Sequence, residues 1–129
     1  MIFPEELFYS RSHSWVKFED GTTATIGVTE YALSELNDGN GSIESVDLPE
    51  EGEEFDIGDV VGTIKTADSS AEINTPLAGR AADINEDVQD EPSCMSDDPY
   101  EAWIVKIEKI SDREDLLDAE EYKEYINTL

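Results

Sequence analysis

Few side chains in this sequence could do chemistry by themselves. There is one histidine, His13, and one cysteine, Cys94, among 33 acidic and eight basic residues. A catalytic triad or a multi-histidine metal centre needs several such groups close together, and one ring and one thiol do not supply it. Cys94 sits in Pro92-Ser-Cys-Met-Ser-Asp-Asp98, with no histidine or cation nearby to favour the thiolate, so it reads as a loop or packing residue. A single cysteine also excludes an intramolecular disulfide. The carboxylates have no second type of catalytic group at readable spacing, which argues against an acid/base enzyme.

The stretch most like a site runs from Gly58 to Gly79 and contains one amine, Lys65, and a carboxylate, Asp68, near its centre. Val60, Val61 and Ile64 precede the polar centre Asp68-Ser69-Ser70 and Ile73 follows it, a pattern of two strands around a hairpin tip. The segment resembles the lipoyl hairpin of the glycine cleavage system H protein family, roughly Glu-Ser-Val-Lys-Ala-x-Ser followed by Ser-Pro-x-x-Gly. Counted without gaps, forward from Leu48-Pro49-Glu50-x-Gly52 or backward from Thr75-Pro76-x-x-Gly79, the family's lipoylated lysine falls on Asp68. Lipoate is attached as an amide to a primary amine, which a carboxylate cannot replace. The expectation is therefore a protein without the cofactor. The alternative is lipoate on Lys65, three residues earlier. On an extended strand that slip is about 10 Å and, being odd, turns the side chain to the other face.

Four further strings carry the same resemblance. Tyr9-Ser-x-x-His13-x-Trp15 has Ser14 where the family has glutamate, and the bland reading of His13 is a ring hydrogen-bonded against the adjacent strand. Ile26-Gly27-x-Thr29-x-x-Ala32 opens a short helix near 29–37, with Thr29 as N-cap, Glu30 in the first turn, and Ala32, Leu33 and Leu36 on one face. Asp98-Pro-Tyr100-Glu-Ala102-Trp103 lacks one residue of the family's Asp-Pro-Tyr-x-x-Gly-Trp and has Ala102 in place of the glycine, so a differently shaped loop is expected. Leu116-Leu-Asp-Ala-Glu-x-Tyr122 is the last of the four.

The elements that position these residues are mostly strands. Leu7 to Phe18 reads as a first strand, Glu19-Asp-Gly21 as a turn, and Thr22 to Gly27 as its hairpin partner. Asn37 to Gly41 is a turn cluster, and the strand at 42–49 has Glu44 and Ser45 where relatives place apolar residues. A short strand precedes Gly58, and Gly79 to Asn85 forms another. Ser111-Asp-Arg-Glu114 reads as a capping box and Asp118 with Glu121 as a second helix start, giving a helical tail at about 111–128. The aromatic stripe of Tyr122 and Tyr125 reads as core. Together with the resemblance these elements imply a mainly β fold, the flattened barrel-sandwich of lipoyl and biotinyl domains, in one domain spanning 1–129.

Composition narrows the partners. A formal charge of −25 repels nucleic acid and anionic membranes. No apolar run approaches a membrane span, and the first residues have neither a basic leader nor a long apolar core, so a cytoplasmic location is expected, with an organelle matrix as the alternative. The chain is expected to be a monomer. A solvated acidic surface should gain stability with salt, whereas an acidic field that steers the chain to basic partner faces should lose association rate with it. The resulting expectation is a non-catalytic binding module for proteins, among them enzymes that recognise lipoyl carriers. The alternative is an active carrier in glycine cleavage.

Overall fold

The structure, a computed structural model, describes residues 3–35, 43–66, 70–91, 100–113 and 115–128. Asp68, Cys94 and the turn cluster at 37–41 lie outside the described residues.

In chain order the elements are β1 (Phe8–Tyr9), β2 (Ser14–Phe18), β3 (Ala24–Val28), α1 (Glu30–Glu35), β4 (Ile43–Asp47) and β5 (Glu54–Phe55), then β6 (Val60–Thr66), β7 (Ser70–Asn74), β8 (Leu77–Ile84), α2 (Glu86–Asp90), β9 (Val105–Arg113) and α3 (Ala119–Asn127). One sheet has the order β1-β2-β3-β9-β8-β5 and the other β4-β6-β7, with antiparallel pairing throughout. Period-two alternation turns Val16 and Ile26 of the first sheet, and Val46, Ile64 and Ile73 of the second, into a shared core closed by Leu77, Val105 and Ile107. A second cluster forms where the N-terminal segment meets the C-terminal helix: Phe3, Leu7, Tyr9 and Trp15 pack against Leu117, Ala119 and Tyr122. This mainly β sandwich is the architecture the sequence implied.

Two expectations are corrected and a third element is added. The first strand is broken into β1 and β2, because His13 adopts φ +70° and Ser10 Oγ accepts the Ser14 N–H at 3.0 Å, a local turn that interrupts extension. The helical tail does not begin at Ser111. Ser111 to Arg113 continue β9, with Asp112 opposite Ala78 and Arg113 opposite Leu77, so ladder bonds to β8 prevail over a local capping signal. Helix begins only at Ala119, where Asp118 and Glu121 form the reciprocal capping box. The third is α2, which sequence reading missed. Asn85 Oδ1 accepts the Asp87 N–H and Val88 is fully buried, but five residues with one apolar side chain are too short to display a helical period.

Gly27 lies directly opposite Trp15 in the β2–β3 pair, and a Cβ there would collide with the Trp15 indole. Gly27→Ala is therefore expected to destabilise by about 1–3 kcal/mol through overpacking, read as a lower urea midpoint at unchanged slope. An unchanged midpoint would mean that the indole has room to move.

Candidate functional site

The hairpin β6–β7 is built from its base upward. Gly58, at φ +92°, turns the chain into β6, and its N–H donates to the Thr75 carbonyl at 2.8 Å. Asn74 Nδ2 donates to the Gly58 carbonyl, and the buried Thr75 hydroxyl bridges to Leu77 just beyond Pro76. From this base the register runs Thr63↔Glu72, Ile64↔Ala71 and Lys65↔Ser70. Val61, Ile64 and Ile73 anchor the inner face.

Lys65 occupies the outer face of β6, the central strand of its sheet, between Ser70 on β7 and Ser45 on β4. Its Nζ lies 2.9 Å from Asp47 Oδ2, a diagonal neighbour on β4. Both side chains are more than half exposed, at 52% and 62%, so the pair fixes direction more than it contributes stability. Sequence reading missed Asp47, because the register that brings it to Lys65 is set by a bulge. Ile43 faces Thr66 and Ser45 faces Lys65, so Glu44 is the extra residue. Glu44 is accordingly exposed and Ser45 half-buried, which accounts for polar residues where relatives have apolar ones.

The His13 ring reaches the C-terminal helix. Its Nδ1 is hydrogen-bonded to Tyr122 Oη on α3 at 2.8 Å, and Tyr122 Oη also meets Thr29 Oγ1 at 2.9 Å. Thr29 Oγ1 in turn accepts the Ala32 N–H, as an N-cap should. The sequence separation of 109 residues between His13 and Tyr122 gave no signal of this contact. Burial holds the Tyr122 and Tyr9 hydroxyls well above their ordinary range. The neighbouring Ser14, also buried, donates to the Asn74 carbonyl and so ties β2 to β7.

Between this knot and the hairpin lies a slot of about 30 Å³ lined by His13, Val28, Ala32, Ile64, Ala71 and Ile73, among others. It has room for a water or two, far below the roughly 300 Å³ at which a pocket buries a ligand. The loop before Trp103 needs no glycine, since Ala102 has an ordinary negative φ and is packed in the core. Tyr100, whose hydroxyl accepts from Glu30 N at 3.4 Å, is pushed up to about 12 by burial.

No group of three or more His, Cys, Asp or Glu among the described residues is placed to hold a metal, and no described helix is long and apolar enough to cross a membrane. What the site offers is an exposed amine on a sheet and a small slot beside it.

The comparisons bear on this hairpin-bearing sandwich directly. The family model for the glycine cleavage H-protein matches residues 7–129. A "Glycine cleavage system H protein" from Staphylococcus haemolyticus is 44% identical, with 98% of each chain covered, and one from Lachnoclostridium phytofermentans is 38% identical, with 95% of this chain and 93% of the relative covered. The crystal structure of a glycine cleavage system H protein from Mycobacterium marinum superposes with a TM-score of 0.84 at 26% identity, covering 98% of this chain and all of the other. With the family model matched over residues 7–129 and relatives 44% and 38% identical over nearly the whole chain, the chain belongs to the glycine cleavage H-protein family.

Proposed function

We propose that this chain is a non-lipoylated H protein, one domain that serves as a binding module for proteins, including enzymes that recognise lipoyl carriers. Members of the family are carriers and not themselves catalysts. The observation that carries the reading is the position of Lys65, the one lysine between Gly58 and Gly79. It stands inside a three-stranded ladder, ion-paired to Asp47, while residue 68 in the tip segment is aspartate. A lipoyl anchor needs an amine presented by the tip, and the residues present do not fit that requirement. The slot beside His13 is also too small to bury a dithiolane arm.

The exposure of the Lys65 amine favours one second reading, an active carrier with lipoate on Lys65. Intact mass after expression with a lipoate ligase and lipoate, followed by peptide mapping across 58–80, separates the two. The expected result is the unmodified mass. A lipoyl group on Lys65, abolished in Lys65→Arg, would replace the adaptor reading with the carrier.

A further inference from the structure

Two of the eight basic residues, Arg80 and Lys109, line one groove. The groove holds about 420 Å³, within the range of ligand sites, and is lined by Glu54, Phe55, Asp56, Gly79, Arg80, Lys109 and Ser111 on β5, β8 and β9. Among the described residues the ion pairs within 4.0 Å are Lys65–Asp47 and Lys106–Glu19; Arg80 and Lys109 form none. Arg80 stays unpaired although Glu54 and Glu108 stand directly opposite it on the two neighbouring strands.

The backbone here is shaped rather than regular. Ala78 faces Asp112 and Arg80 faces Glu108, so residues 109–111 bulge opposite Gly79 alone. Lys109 within the bulge has φ +53°, a left-handed conformation disfavoured for a lysine. Gly79 makes the close approach possible, since a Cβ on it would sit 2.5 Å from Ile107 Cγ2 and 2.7 Å from the Glu108 carbonyl oxygen. The bulge thus sets a left-handed lysine and an arginine without an ion pair on the same groove.

We propose that this groove is a binding site for a phosphate group, free or as the monoester of a small polyol or nucleoside. A guanidinium, an ammonium and the Ser111 hydroxyl together supply donors for the three acceptor oxygens of a phosphate. Glu54 and Asp56 on the rim accept from hydroxyls of an ester, and the half-buried Phe55 offers an apolar wall. The site is independent of whether the hairpin carries lipoate.

The net charge sharpens the test, because a field of −25 opposes any unspecific gathering of anions. Inorganic phosphate and ribose 5-phosphate are titrated into the full chain at constant ionic strength, with chloride as the balancing anion, and backbone amide shifts are followed by NMR. Saturable shifts confined to residues 54–56, 79–80 and 109–111 are expected, weakened about tenfold or more in Arg80→Gln/Lys109→Gln. Tighter binding of the ester identifies a phosphorylated small molecule as the source, and equal binding identifies free phosphate. Lys109→Gly separates function from folding: it relieves the left-handed φ and should keep or raise the melting temperature while binding falls. Absence of saturable shifts with both probes, or full binding by Lys109→Gly, would overturn the proposal.

Discussion

Rewriting Lys65-Thr66-Ala67-Asp68 as the family's Glu-Ser-Val-Lys is expected to give a chain that is lipoylated at position 68. The four changes are Lys65→Glu, Thr66→Ser, Ala67→Val and Asp68→Lys. The physical argument is chemical before it is structural: amide formation needs a nucleophilic amine, and Asp68 offers a carboxylate. The hairpin supplies the rest, for its base is fixed by Gly58, Asn74 and Thr75 and its register carries the tip forward from Lys65↔Ser70. Intact mass after expression with the ligase is an all-or-none readout. The control with the first three changes only should remain unmodified. If the four-residue variant stayed unmodified while folded, the anchor would not lie at position 68 and the gap-free counting would be wrong.

Tyr122 carries the second large effect. Its ring is fully buried, stacked on Tyr9 at 4.8 Å and edge-on to Phe3 at 5.2 Å, and its hydroxyl joins His13 to Thr29. Removing the ring in Tyr122→Ala should destabilise by about 3–5 kcal/mol, a large share of the 5–15 kcal/mol that holds a typical domain folded. Tyr122→Phe keeps the ring but removes the hydroxyl's bonds to Thr29 and His13, for about 1–3 kcal/mol. Urea midpoints measure both, and a Tyr122→Phe midpoint equal to the parent's would mean that water replaces the hydroxyl.

The same burial gives stability an alkaline edge. Tyr9, Tyr100 and Tyr122 titrate above the ordinary 10.0 in the fold, Tyr100 at about 12. The unfolded chain therefore loses these phenol protons first as pH rises. The contribution is fully present below pH 10.0 and is lost as pH climbs from there through about 12, so the melting temperature should fall across that window. Tyr122→Phe should flatten the decline.

Much of this protein was decided by local pattern. The alternation of Val61, Ile64 and Ile73 around a polar tip determined a hairpin, and Thr29 and Asp118 determined where two helices begin, because caps and period-two faces act over a few residues. The order of motifs was enough to point to the family. Non-local pairing decided the rest. Ser111 to Arg113 carry a capping signal but become strand, since β8 lies alongside with unmet backbone groups. His13 finds Tyr122 only when the two ends of the chain pack together, and Asp47 finds Lys65 only through the one-residue shift at Glu44. The bulge that places Lys109 beside Arg80 has the same origin: register between distant strands is set by the whole ladder, and no window of sequence contains it.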